Sequence, residues 1–213
     1  MIVIASTRPG RGGWPVAQWF ISRAGDHGGF EVQVVDLVEF KLPLLDEPNH
    51  PRLRQYVNPH THEWSEKVGG ADAFVFVTPE YNHGYPASLK NAIDYLHHEW
   101  RYKPVGFVSY GGVAAGTRSV EQLQQVVTAV KLFPLIEQVN IPFYQQFLDD
   151  EGVLQANEVM EQAVLALLDQ LVKTEAALRP LRESVAQTGE RVVRACVARG
   201  LRVLSARSSP GRA

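Results

Sequence analysis

Residues 72–96, DAFVFVTPEYNHGYPASLKNAIDYL, hold a strand, a loop and the start of a helix in that order. The run from Ala73 to Val77 is apolar at every position, which suits a strand covered on both faces at the centre of a parallel sheet. After Pro86, Leu89, Ile93 and Leu96 recur at spacings of four and three and share one helical face. A strand that must be followed by a parallel neighbour needs such a crossover.

The same unit repeats on either side. Residues 2–5 (IVIA), 30–37 (FEVQVVDL), 105–110 (VGFVSY) and 135–141 (LIEQVNI) are short and rich in Val, Ile and Phe, and with 72–78 they predict five strands. Helical spacing links Val16, Phe20 and Ala24 after Pro15, Trp64 and Val68 after Asn58-Pro59, and Val120, Leu123, Val127 and Val130 after Thr117. A last helix, with Val159, Ala163, Leu167 and Leu171, follows the cap residue Asn157. Alternating strand and helix predict a right-handed, doubly wound α/β fold, whose ligands sit beyond the carboxyl ends of the strands.

Size and composition agree with one globular domain: 213 residues, 45% hydrophobic, a single cysteine (Cys196) and a net charge of −2. One cysteine makes no internal disulfide, MIVIAS carries no export pattern, and no apolar run is long enough to span a bilayer, so a cytoplasmic, reducing setting without membrane contact is expected. The charge is uneven. Residues 1–173 carry 13 basic and 20 acidic side chains, and 174–213 carry 8 and 3. We therefore expect a globular domain over 1–173 and an Arg-rich extension over 174–213 that is weakly helical or disordered.

Three post-strand loops carry unusual chemistry. Ser6-Thr7-Arg8-Pro9-Gly10-Arg11-Gly12-Gly13 puts hydroxyls, guanidinium groups and glycines at a helix N-terminus, where unpaired N–H groups favour an anion such as phosphate. Neither G-x-G-x-x-G nor the Walker pattern is present, and Asp36 reads as a strand-end residue. Thr78-Pro79-Glu80-Tyr81-Asn82-His83-Gly84-Tyr85-Pro86 is a Pro-bounded turn with an acid, two aromatic rings and an amide, a wall for a flat ring. Beyond it, Lys90 and Asp94 form an i,i+4 pair. In Ser109-Tyr110-Gly111-Gly112 the adjacent glycines imply close approach to something planar or a positive φ. Phosphate at one end and a fused ring at the other describe flavin mononucleotide (FMN).

These stretches resemble the NADPH-dependent FMN reductase family, the flavodoxin-like group that includes chromate, azo and quinone reductases. The likeness is carried by STRPGR, by TPEYNHGYPASLKNAIDYL with HEW close behind, and by SYGG followed by GTRS, over roughly residues 1–172. It implies a flavodoxin-like doubly wound sheet in order 2-1-3-4-5, with FMN at the switch point between the first and third strands. It implies that Ser6, Arg8 and Arg11 hold the phosphate, and that the ring lies between Pro79, Glu80, Tyr81 and Asn82 and Ser109, Gly111 and Gly112. NADPH or NADH would be the reductant, and a flavin, quinone, azo compound or metal oxyanion the acceptor. A homodimer or homotetramer is implied too, as is a flavin-dependent monooxygenase as one consumer of reduced flavin. Hydride transfer to flavin N5 needs no protein acid or nucleophile, so no catalytic side chain is assigned and Glu80 is expected to support the ring loop. Ala5 stands where many members have glycine, and Arg11 where some have serine.

The alternative is a flavodoxin-like electron carrier that binds FMN without oxidising nicotinamide; GYPASLKNAIDYL favours the reductase. His60-x-His62 and His97-His98 lack further ligands at metal spacing, the basic tail lacks the interleaved aromatic residues of nucleic-acid binders, and Cys196 lies away from every motif. No metal, nucleic acid or redox thiol is expected.

Overall fold

Alternation along three residues sorts the core into two layers. In the structure, a computed structural model describing residues 1–198 with side chains through 184, Ile2 and Ile4 point to one face of a sheet and Val3 and Ala5 to the other. These residues belong to β1 (Ile2–Ile4) and its continuation, and the chain then runs through α1 (Gly13–His27), β2 (Val34–Asp36), α2 (Leu37–Phe40) and α3 (Pro59–Gly70). It continues through β3 (Phe74–Pro79), α4 (Ala87–Asp94), β4 (Lys103–Gly111), α5 (Thr117–Ala129), β5 (Leu132–Pro142) and α6 (Glu158–Ala198).

The strands form one parallel sheet in order β2-β1-β3-β4-β5, the expected topology. Val16 and Phe20 of α1 and Val164 and Leu167 of α6 cover the face of Ile2 and Ile4. Trp64 of α3, Leu89 and Ile93 of α4, and Leu123 of α5 cover the other. Burying each such side chain contributes about 1.5–3 kcal/mol, which is why the helical spacings in the sequence located the layers.

The edges differ from expectation. Of residues 30–37 only Val34–Asp36 form a strand, because β1 offers just three residues to pair with: Ile2, Val3 and Ile4 oppose Val34, Val35 and Asp36. At the other edge β5 is longer than expected, and its register slips against β4 between Val105 and Phe107, leaving Ile136 exposed. Asn157 caps α6 as expected, its Oδ1 accepting from Met160 N at 2.9 Å.

Helix α6 crosses residue 173 unbroken and carries Pro180 within it. Tertiary contacts hold this part: Leu178 is buried, and Arg182 donates to the Tyr102 carbonyl at 2.9 Å and to Glu175 at 2.5 Å. Residues 199–213, the end of the Arg-rich extension, and the Cys196 side chain lie outside the described residues. Among the described residues no helix is long and apolar enough to cross a membrane.

Candidate functional site

The loops after β1, β3 and β4 meet at the carboxyl edge of the sheet, where β1 separates from β3. Ala5 N donates to Val77 O at 3.0 Å, so β1 runs on into Ser6, which is fully buried. Thr7, Arg8, Pro9 and Gly10 are exposed, and Arg11 N returns to Arg8 O at 3.1 Å. Helix α1 then opens with Gly12 as its N-cap, without a side-chain cap and without an acid in its first turn. Its first N–H groups therefore keep their affinity for an anion.

Two tyrosines close on this helix start. A Cβ on Gly12 would lie 2.0 Å from the Tyr144 ring, and one on Gly13 would lie 2.7 Å from the Tyr110 hydroxyl. A side chain at either position would have to displace a tyrosine. The rings of Tyr110 and Tyr144 meet edge to face at 5.3 Å between centroids. Tyr110 is 3% exposed, and its hydroxyl has no hydrogen-bond partner. Burial pushes the Tyr110 phenol above its ordinary pKa, so it stays protonated.

The loop after β3 is a two-residue hairpin. Tyr81 N donates to Gly84 O at 2.8 Å and Gly84 N to Tyr81 O at 2.9 Å, with Asn82 (φ 50°) and His83 (φ 70°) both left-handed. This turn lifts the Tyr81 side chain over the first loop, where its hydroxyl and that of Ser6 lie 2.5 Å apart. Glu80 N donates to Tyr110 O at 3.3 Å, tying the hairpin to β4. The Glu80 carboxylate is nearly buried and ion-paired with Arg118, whose Nε donates to Oε1 at 2.6 Å; Oε2 has no partner.

In the loop after β4, positive φ falls elsewhere than on the paired glycines. Gly111 and Gly112 do not take positive φ; Ala115 (φ 52°) and Gly116 (φ 84°) do. Gly116 is the position that requires glycine, because a Cβ there would stand 2.8 Å from Ser109 Cβ and 3.0 Å from Tyr110 N. Gly112 faces open space, whereas Gly111 packs beside Glu80 and receives Phe143 N on its carbonyl at 2.8 Å.

The geometry thus joins Ser6 to Tyr81, and Pro79 and Glu80 to the rim beside Gly111, while Asn82 is exposed at the hairpin tip and Gly112 faces open space. Two expected residues face elsewhere. Arg11 turns to Asp36, which also caps α2 by accepting from Val38 N at 3.1 Å. Ser109 Oγ sits 2.8 Å from both Ala115 O and Asn140 Oδ1, and so braces its own loop. Tyr110, Tyr144, Arg118 and Gly116 were not singled out from the sequence. Strand alternation around Ser109 could have flagged Tyr110, since neighbours in a strand face opposite sides. The Lys90–Asp94 pair forms as expected at 2.5 Å. His60 contacts Asp46 at 2.9 Å and His98 donates to Arg52 O at 2.8 Å; among the described residues no group of three metal-ligating side chains assembles.

Beside the first loop, Thr7, Val38, Lys41, Ala87 and Ser88 line a cleft of about 440 Å³. Ser88 Oγ donates to Ala5 O at 2.5 Å, which anchors the start of α4 at the end of β1.

Comparison with known proteins places this edge in a family. The family model described as NADPH-dependent FMN reductase matches residues 1–146. An NAD(P)H-dependent FMN reductase of Schizosaccharomyces pombe is 41% identical over 134 residues, covering 62% of this chain and 66% of that one. One of Saccharomyces cerevisiae is 44% identical over 108 residues, covering 48% and 56%. The chain thus spans less than two thirds of the length of either relative. Among solved structures, the flavoenzyme NAD(P)H:(acceptor) oxidoreductase FerB from Paracoccus denitrificans superposes with a TM-score of 0.65 at 18% identity, over 83% of this chain and 96% of that one, a likeness of fold.

Proposed function

Because this chain belongs to the NADPH-dependent FMN reductase family, we propose that it holds FMN at the carboxyl edge of β1, β3 and β4 and is an NAD(P)H-dependent oxidoreductase. The observation that carries this reading is the convergence of an uncapped helix start, an exposed Arg8 and a rigid hairpin, locked together through Ser6 and Tyr81. The donor set fits the group: Ser6, Arg8 and the first amides of α1 suit a phosphate, with Arg11 held at its flank by Asp36. Pro79–Asn82 and Gly111–Gly112 bound the space for the ring, and Ser109 fixes the second of these walls. The partnerless Glu80 Oε2 adds an acceptor at that wall.

The chemistry supplied by bound flavin is two-electron transfer, with hydride taken from nicotinamide and electrons given to an acceptor. What the chain contributes is placement. A hairpin with paired ends and a β4 loop pinned at Gly116 hold their positions before any ligand arrives, so little ordering is left to the encounter. No acid or nucleophile of the protein is required. The acceptor is a small flat or oxidised compound such as a flavin, quinone, azo compound or metal oxyanion. A homodimer or homotetramer is the assembly that the likeness to this family points to.

Steady-state kinetics test the reading. Nicotinamide and acceptor sharing one open face predict parallel double-reciprocal lines, and intersecting lines, which need both bound at once, contradict it.

A further inference from the structure

The Tyr110 hydroxyl is one of the buried polar groups that the fold leaves without a hydrogen bond of good geometry, and the one that lies at the start of α1. It projects from the end of β4 across to the opening of α1, within reach of Gly13 and among Ser6, Arg11, Tyr81 and Tyr144. Its residue is 3% exposed, the hydroxyl makes no hydrogen bond of good geometry although the Ser6 hydroxyl lies near it, and the ring is fixed in the core layer with Ile4, Val16 and Val77. A phenylalanine would fill the same apolar space without leaving a buried hydroxyl unsatisfied, a state that is costly in a folded protein. Gly13, meanwhile, leaves just enough room for that oxygen beside the first turn of the helix. A helix start attracts an anion through its N–H groups; a buried phenol lying against the same first turn is a second, independent donor.

We propose that Tyr110 is a phosphate-recognising residue: its hydroxyl, at the start of α1, donates a hydrogen bond to the phosphate monoester of the flavin nucleotide and so sets the preference for FMN over riboflavin. This rests on the reading that FMN is the bound group. It differs from that reading in assigning phosphate recognition to a β4 residue outside the Ser6–Arg11 loop. Two features suit the phenol to the role. Burial keeps it protonated, hence a donor and never a competing anion. Its ring is also held by Tyr144 and the core, so little side-chain freedom is lost when the bond forms.

The test is a titration of the full-length apo protein with FMN and, separately, riboflavin, in wild type, Tyr110→Phe and Arg8→Ala, together with apo thermal midpoints. A hydrogen bond to a charged group implies that Tyr110→Phe weakens FMN roughly ten- to hundredfold and leaves riboflavin unchanged. The apo midpoint of Tyr110→Phe should equal or exceed that of wild type, since the lost hydroxyl had no partner. Three results overturn the assignment: FMN affinity unchanged in Tyr110→Phe while Arg8→Ala weakens it; equal weakening of both flavins; or a lower apo midpoint, which would give the hydroxyl a structural partner. If wild type binds neither flavin, the reading of the site falls and this proposal with it, an outcome distinct from the other three.

Discussion

Ser6 and Tyr81 are 75 residues apart in sequence, and their hydroxyls lie 2.5 Å apart. One ends β1 and the other stands on the hairpin after β3, so a single bond ties the loop after β1 to the loop after β3. Tyr81→Phe removes that tie and keeps the ring. Stability to urea should fall by about 1 kcal/mol, and the affinities for FMN and riboflavin should fall by a similar factor, because the wall rather than the phosphate contact is loosened. A loss confined to FMN would place the Tyr81 hydroxyl on the phosphate instead.

Arg118 supplies the ion-pair partner of Glu80, whose side chain is 8% exposed against 40% for Arg118. Arg118→Met would leave a nearly buried carboxylate without its cation. Discounted for the exposure of the arginine, the cost should be about 1–3 kcal/mol in unfolding free energy, with weaker flavin binding. Glu80→Gln should lower flavin affinity more than the rate of flavin reduction at saturating FMN. A large rate loss under those conditions would make Glu80 part of the chemistry.

Two glycines of the β4 loop separate conformational need from mere presence. Gly116→Ala forces a side chain onto positive φ and into the Tyr110 backbone, so a loss of at least about 1–3 kcal/mol is expected by chemical denaturation. Gly112→Ala meets open space and should stay within about 0.5 kcal/mol of wild type. Equal effects would mean that the loop is held differently.

Lys103 gives the stability a pH signature. Its ammonium is buried at the end of α3, donating to Val68 O at 2.8 Å and Gly69 O at 3.0 Å, and burial lowers its pKa from 10.5 to about 8. The folded state therefore releases this proton before the unfolded chain does. Between pH 8 and 10.5 the unfolded state binds more protons, so this residue makes stability rise with pH, by about 1–3 kcal/mol across the window. Lys103→Met should flatten that rise in urea titrations run at several pH values. A rise that survives in the variant would assign it to another group.

Much of this was legible in the residues, and the limits have physical causes. The both-sided apolar run before Pro79 and the helical spacings after Pro15, Pro59 and Pro86 report burial, so the layers followed from them, whereas the strand order followed from the family resemblance. Residues 30–33 alternate like a strand, but pairing needs a neighbour, and β1 is too short to supply one. Gly111-Gly112 advertised backbone freedom, yet the positive φ fell on Ala115 and Gly116, because composition records which residues can adopt a conformation and not where the turn requires it. Arg11 reads as a phosphate ligand within its own loop, whereas its pairing with Asp36 is a contact between segments 25 residues apart that only the folded sheet creates. The placement of Tyr110 has the same cause, since the approach of its hydroxyl to Gly13 exists only in the fold.

In the function proposed here, this chain passes electrons from reduced nicotinamide to the flavin it holds. The most direct measurement adds NADPH, without oxygen, to the FMN-saturated protein and follows the visible flavin absorption against a control lacking protein. Rapid bleaching beyond the control is the predicted result. FMN that binds yet stays yellow would contradict the account and make the chain a flavin-binding electron carrier.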